Sequence, residues 1–483
     1  MARHQRGAGD YVGIADAAAV LNWAIPESAG PMFWRETPVT HHPCVRATSI
    51  IAGLLLAATL IPVALLATST HAAAAVQAKP RGNSRGVSIV AGIHDTAIND
   101  CVQLKGKSAT AANRMKYATA SVRSRYWPSG VHNVRVTLPW DIAEPSAIDM
   151  STNGAAHTSS ASVDKSALAT TRLCFNDWLL GVFSHGISPE IDFRSDPNYT
   201  LKGTPMMPTL AQYQAAVAQF SDAYVNCGTS CTDGKKVTVI APWNEPDNYN
   251  IVFPDGHTHL AGSNCPAKPT AADCGAVMAA QMWAVTDELV VEGGGNGTKC
   301  PTCTVVAGDF SGKDGLGTIS GKACPQKCSY LYLYNKHLVT TGHQFHPAKW
   351  AVHPYGDIKA YQDGTSGGRT ELAEFASALH GYGYGTETYI WLNEVSTCAS
   401  QAKSTCSGGP GNIKNWRDQN AAMNYLLYTL PLTVPANGPQ VGRIDYYCFN
   451  GGRSRCTNDW ALVTNSKTNP KPTEAEKIFA AWA

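Results

Sequence analysis

The chain has 483 residues, a formal net charge of +2, 44% hydrophobic residues and only 15% charged ones. This is enough apolar material for a large core, and the near-balance of charge argues against a polyanion such as nucleic acid as partner. Low charge with abundant glycine and aromatic residues suits a protein that handles neutral polar ligands.

Residues 1–44 carry mixed charge without periodicity. From Ala47 to Ala78 there is no Asp, Glu, Lys or Arg, and "SIIAGLLLAATLIPVALLA" runs into "THAAAAVQA". Residues 45–78 therefore read as a secretory signal peptide, and residues 1–44 as an upstream extension from a mis-assigned start, with Val45 and Arg46 supplying a short basic beginning. A retained anchor is the alternative. Pro62 and the alanine-rich tail favour cleavage, giving a secreted protein with no stable membrane insertion. Residues 79–85 form a linker, and 86–483 a single domain expected to be monomeric.

Of fifteen cysteines, Cys44 lies upstream and fourteen fall in the exported part. An even set fits an oxidising compartment, with close pairs expected at Cys227–Cys231, Cys265–Cys274, Cys324–Cys328, Cys398–Cys406 and Cys448–Cys456. Cys300 and Cys303, followed by Cys324 and Cys328, approach zinc-ribbon spacing. The two pairs flank opposite ends of a strand, so no metal is expected.

Apolar runs alternate with helical stretches to the C-terminus. Strands are predicted at Val87–Ile93, Asn133–Leu138, Ser188–Phe193, Val237–Ala241, Cys303–Ala307, Trp350–His353, Thr388–Leu392 and Arg443–Tyr447. Eight such units predict an α/β fold, a (β/α)8 TIM barrel. Thr209 is placed to cap a helix whose apolar stripe is Leu210, Tyr213, Val217, Phe220 and Tyr224, and "PTEAEKIFAAWA" supplies the closing helix. Surplus length falls after strands, in 141–163, 247–272 and 308–328, on the C-terminal face where such barrels carry their chemistry. No Gly-rich phosphate loop follows a strand at the right spacing, H-E-x-x-H is absent, no G-x-S-x-G marks a serine nucleophile, and no cofactor is implied.

The fourth strand leads into "WNEPDN", with Asn244 and Glu245, and the seventh contains "YIWLNEVS", with Asn393 and Glu394. Two glutamates at opposed strand ends match the needs of glycoside hydrolysis: an acid to protonate the departing oxygen, and a carboxylate to attack or to activate water. Taken singly, either could be a helix cap or a surface ion pair.

On "WNEP", "VHNVRVTLPWDIAEP", "AVHPYGD" and the C-terminal "NDWALV" region, the chain resembles the clan of retaining (β/α)8 glycoside hydrolases with acid/base on strand four and nucleophile on strand seven. It looks most like actinobacterial members similar to families 39 and 5. The resemblance implies an O-glycosyl hydrolase acting by double displacement on an extracellular poly- or oligosaccharide. It makes Glu245 the acid/base, Glu394 the nucleophile, Asn244 a partner of the sugar 2-hydroxyl, and Arg135 the arginine that keeps the nucleophile ionised. His353 and Tyr355 resemble the strand-six pair, and His94 a sugar-contacting histidine. Trp140, Trp243, Trp391, Tyr446, Tyr447, Phe449 and Trp460 are candidates to stack on sugar faces. Where the clan often places tryptophan after strand eight, this chain has "YYCFNGG". A catalytically silent carbohydrate-binding protein on the same barrel is the rival reading.

Overall fold

The structure is a computed structural model, and it describes residues 86, 88–104, 110–143, 165–195, 200–201, 204–205, 207–227, 231, 234–247, 275–293, 300–311, 318–319, 322–323, 330–340, 343–364, 371–399, 417–451, 461–464 and 469–483. The expected upstream extension, signal peptide and linker lie outside these, as do most of the three long loops. No described helix is long and apolar enough to cross a membrane.

Parallel strands form a barrel: β1 Val90–His94, β2 Asn133–Pro139, β3 Ser188–Arg194, β4 Val239–Ala241, β5 in two segments Thr304–Val305 and Ala307–Phe310, β6 Lys349–Val352, β7 Tyr389–Val395 and β8 Gln440–Tyr447. Neighbours pair in chain order, and β1 pairs with β8. The ring closes through β5, whose first segment pairs with β4 and whose second pairs with β6. All eight predicted strands are present. The fifth is longer than expected and broken at Val306, and the seventh runs on to include Asn393 and Glu394.

Helices cover the outside. The expected cap of the fourth helix forms a full capping box, in which Thr209 accepts from the Gln212 amide and Gln212 reciprocates, with Tyr213, Val217 and Phe220 buried beneath it. A π-helical turn, Ser221–Val225, ends that helix and buries Tyr224. The closing helix Glu474–Trp482 is capped by Thr473 and packs Phe479 and Trp482 into the core.

The alternation of each strand sorts its residues between two environments. Val134, Val136, Ile191 and Phe193 pack outward beneath the helices, as do Ile390, Leu392, Ile444 and Tyr446. Inside, the apolar set is small: Ala241, Val306 and Ala351, with Val239 and Trp391 against them. Many other inward positions carry charge: Arg135 on β2, Glu190 and Asp192 on β3, Arg443 and Asp445 on β8, all buried. Gly92 on β1 makes room for this layer, since a Cβ there would stand 1.7 Å from Asp445 Oδ1.

Three disulfides join described cysteines: Cys101–Cys174, Cys227–Cys231 and Cys300–Cys303. The second is as expected. The first and third were not foreseen, and the third commits both thiols of the zinc-like pair to each other. Cys398 and Cys448 are also disulfide-bonded, while Cys265, Cys274, Cys324, Cys328, Cys406 and Cys456 fall outside the described residues.

The first bridge ties helix Ala97–Val102 to helix Lys165–Ser184 across 73 positions, whereas the second spans 4. Loop-closure entropy then predicts that paired Cys→Ala replacement costs roughly 4 kcal/mol at Cys101–Cys174 and about 2 kcal/mol at Cys227–Cys231. Guanidinium unfolding of the two double variants, compared with the native protein, measures both.

Candidate active site

The C-terminal mouth of the barrel gathers His94 from β1, Arg135 from β2, Asp192 from β3, Asn244 and Glu245 after β4, Asp309 from β5, His353 after β6 and Glu394 from β7. One oxygen each from Glu245 and Glu394 and a ring nitrogen of His353 lie within 4.8 Å of one another. Glu394 sits on β7, where the pairing with β8 slips between Leu392 and Val395. This irregularity lets successive residues Asn393 and Glu394 both turn inward, against the usual alternation. Asn393 reaches down to Glu190 at 2.6 Å, and Glu394 remains at the mouth. The second "NE" therefore divides its labour between an interior anchor and a site carboxylate.

Glu245 is reached differently. Its backbone is left-handed, φ 50°, an arrangement that costs a non-glycine residue and persists only where surroundings enforce it. The restraint is visible: the Asn244 amide donates to the Phe193 carbonyl at 2.6 Å and the Glu245 amide to the Asp309 carbonyl at 2.9 Å. Further along, Asp247 accepts from the Ser311 amide and hydroxyl at 2.7 and 2.9 Å. Tyr330 donates to the Pro246 carbonyl at 2.8 Å. "WNEPD" is thus laced to the end of β5. Burial, outweighing the Ser311 hydrogen bonds, pushes the Asp247 carboxyl up to about 6.

Arg135 is wholly buried and organises the cluster. It donates from Nη1 to Glu394 Oε2 at 3.1 Å and from Nη2 to Asn244 Oδ1 at 2.7 Å, to Asp309 Oδ2 at 2.6 Å, and to Asp192. Because guanidinium only donates, Asn244 must present its oxygen to Arg135 and its amide NH2 elsewhere. Nη1 also lies 2.6 Å from His94 Nδ1. That nitrogen must therefore be the bare acceptor, and it does not donate to Glu394 Oε2, 3.3 Å away. Burial and the charge of Arg135 push the His94 pKa down to about 4, so the ring is neutral with its proton on Nε2.

Glu394 receives a second donor, the Tyr355 hydroxyl, at 3.1 Å to Oε1. Burial alone would raise its carboxyl, but the charges of His353 and Arg135 overcome burial and hold it well below the ordinary carboxylate range. Burial and the adjacent Glu394 keep the Tyr355 phenol protonated. His353 lies between two carboxylates, Nδ1 3.2 Å from Glu245 Oε1 and Nε2 3.0 Å from Asp309 Oδ1. Despite burial, the charges of Asp309 and Glu394 and the hydrogen bond to Glu245 raise its pKa well above the ordinary value, favouring an imidazolium.

Burial and its neighbour Asp309 push the Asp192 carboxyl up against the pull of Arg135. Asp309 is held low: burial is outweighed by Arg135 and His353. One layer deeper, Arg443 bridges Glu190 at 3.0 Å and Asp445 at 2.8 Å and lies 4.8 Å over the Trp391 ring.

Glu245, Glu394, Asn244, Arg135, His353, Tyr355 and His94 thus stand together at the mouth. Tyr447 is half-buried at the rim, edge-on to His94 with ring centres 5.0 Å apart. Trp140 and Trp243 do not join them: both are buried in the layer between barrel and helices and act as packing, because their side chains follow the outward face at the strand ends. Tyr446 and Phe449 are likewise buried. Trp460 lies outside the described residues. Asp309 and Asp192 were not singled out beforehand. Charged residues alternating with apolar ones in "EIDF", and again in "RIDYY", were the available signal of a polar barrel interior.

No protein-family model matches the chain, and no curated protein is similar to it. Among solved structures, the chain is similar to a conserved exported protein from Bacteroides fragilis, with 10% identity, TM-score 0.45, and coverage of 84% of this chain and 78% of that one. It is similar to an exo-β-1,4-mannosidase from an Opitutaceae bacterium, with 10% identity and TM-score 0.43. That alignment covers 84% of this chain and 61% of the mannosidase, less than two thirds of its length. A broad-specificity endoglucanase from an uncultured bacterium aligns at 13% identity and TM-score 0.44, over 82% of this chain and 93% of that one. Likeness this distant leaves the reaction to be argued from the site itself.

The cluster implies a pH signature of stability. Asp309 and Glu394 have lowered folded pKa values, so their contribution is present above the ordinary carboxyl value of ~4 and is lost as pH falls through the folded values. Arg135→Met should cost roughly 3–5 kcal/mol at pH 7 by leaving buried carboxylates uncompensated. The difference from the native protein should narrow below about pH 4 as the variant's carboxyls take up protons. Denaturant unfolding of both proteins from pH 7 to pH 3 tests the trend.

Proposed function

We propose that the protein is an exported retaining glycoside hydrolase cleaving O-glycosidic bonds of an extracellular poly- or oligosaccharide, with Glu245 as acid/base and Glu394 as nucleophile. The observation that carries the reading is the carboxylate pair, with oxygens within 4.8 Å of each other. Retaining enzymes keep their carboxyl groups about 5–5.5 Å apart, whereas inverting ones need roughly 6.5–9.5 Å to admit water.

The roles follow from surroundings. Glu394 has donors on both oxygens and is held ionised, as a nucleophile must be. Glu245, at 23% exposure against 15% for Glu394, reaches further toward solvent, where a leaving group departs. In the first step Glu394 attacks the anomeric carbon while Glu245 passes its proton to the departing oxygen. In the second, Glu245 takes a proton from water, which displaces Glu394. The Asn244 NH2, turned outward by Arg135, supplies a donor for a sugar hydroxyl, and Nε2–H of His94 offers another. The disulfides and the apolar segment at 45–78 support export.

Two measurements test this together. Proton NMR of the first-formed product should show the substrate's own anomeric configuration. With activated aryl glycosides, Glu394→Ala should lose roughly 10⁴-fold while Glu245→Ala is largely spared. Azide should rescue Glu245→Ala with a retained glycosyl azide and Glu394→Ala with an inverted one. Swapped azide products would exchange the two roles, and binding of glycans without any cleavage would indicate a carbohydrate-binding protein instead.

A further inference from the structure

Asp309 stands out on two independent grounds. It is left-handed, φ 58°, directly after Gly308 at φ 84°. It is also the extra residue in a bulge, since Gly308 pairs with Ala351 and Phe310 already pairs with Val352. Strain and a bulge at one position re-aim a side chain, and strain of this kind gathers at functional sites. Here the carboxylate turns into the mouth, where Oδ1 meets His353 Nε2 at 3.0 Å and Oδ2 meets Arg135 Nη2 at 2.6 Å, while its backbone carbonyl holds the Glu245 amide at 2.9 Å.

We propose that Asp309 is a positioning residue that fixes His353 as a doubly protonated imidazolium and so keeps a cation wedged between the two glutamates. This rests on the glycosidase reading for its kinetic side only. The geometry points the same way: Nε2, 3.0 Å from a carboxylate that is itself ion-paired with Arg135, carries a proton, and Nδ1, 3.2 Å from Glu245 Oε1, carries a second while Glu245 is ionised. The charged and titratable groups facing His353 are Asp309 from β5, Glu245 after β4 and Glu394 from β7. Neutral His94 also lies within reach of its charge, and the Tyr355 ring centre is 6.4 Å from that of His353. Arg135 shares Asp309 from the other side. Of the influences that lower the Glu394 carboxyl, the charge of His353 is the largest.

In Asp309→Asn, the amide NH2 can donate to Nε2, so His353 becomes neutral while Nδ1–H still serves Glu245. Arg135 keeps its contacts with Asp192, Glu394 and Asn244. Glu394 then loses its main counter-charge, and the acid limb of kcat/KM should climb by about one pH unit or more. A merely structural role would lower activity at every pH without moving that limb.

The experiment combines ¹⁵N-histidine NMR with kinetics. The His353 signal, assigned by its loss in His353→Gln, should show two protonated nitrogens in the native protein at pH 7 and one bare nitrogen in Asp309→Asn. The acid limb should rise in Asp309→Asn and in His353→Gln, and the double variant should rise no further. A neutral His353 in the native protein, a persistent cation in Asp309→Asn, or additive limb shifts would each overturn the proposal. If Asp309→Asn does not fold, Asp309→Ser takes its place in both measurements, with the same expected outcomes. Because the NMR needs no substrate, absence of glycan cleavage would sink the glycosidase reading without touching the protonation result.

Discussion

A guanidinium with no access to solvent needs acceptors, and the two Nη atoms of Arg135 meet Glu394, Asn244, Asp309, Asp192 and His94. Its partners come from strands β1, β3, β5 and β7 and from the segment after β4, so the arginine can be satisfied only when the barrel is complete. Desolvating such a charge is expensive, and the cost is offset only by several well-placed acceptors. Those acceptors are the site. The same requirement that makes the interior stable orients the Asn244 amide, assigns the His94 tautomer and keeps Glu394 ionised.

The network also separates two carboxyl groups that lie close enough to repel. Glu394 is met by the charge of Arg135 and the Tyr355 hydroxyl, and the charge of His353 stands between it and Glu245. Like charges at this distance would otherwise force a shared proton. Asymmetric counter-charges let one carboxylate stay ionised through the reaction while the other moves its proton.

Much of this was readable in the chain. The strands were legible because parallel strands beneath helices carry apolar runs such as "VRVTL" and "YIWL", and Glu245 and Glu394 because each follows or ends such a run. Trp140 and Trp243 misled because an aromatic at a strand end can face either way, and only the register decides. Asp309 was invisible because "AGDF" reads as an ordinary strand end; its importance comes from a bulge and a left-handed backbone, which depend on pairing with β6. The split of β5 and the Cys101–Cys174 bridge are likewise properties of the closed ring, as neither has a local signature.

The charged lining of the barrel also bears on how the domain responds to temperature. Apolar surface exposed on unfolding raises the heat capacity, and polar surface lowers it. A barrel usually filled with branched aliphatic layers is here occupied by Arg135, Glu190, Asp192, Arg443 and Asp445, with Gly92 hollowed to receive them. Each such replacement flattens the curvature of stability against temperature. The hydration these ions forgo also becomes less favourable on heating, so burying them is less costly in the warm. The lining that serves a proton-handling site thereby favours a domain whose stability varies gently with temperature.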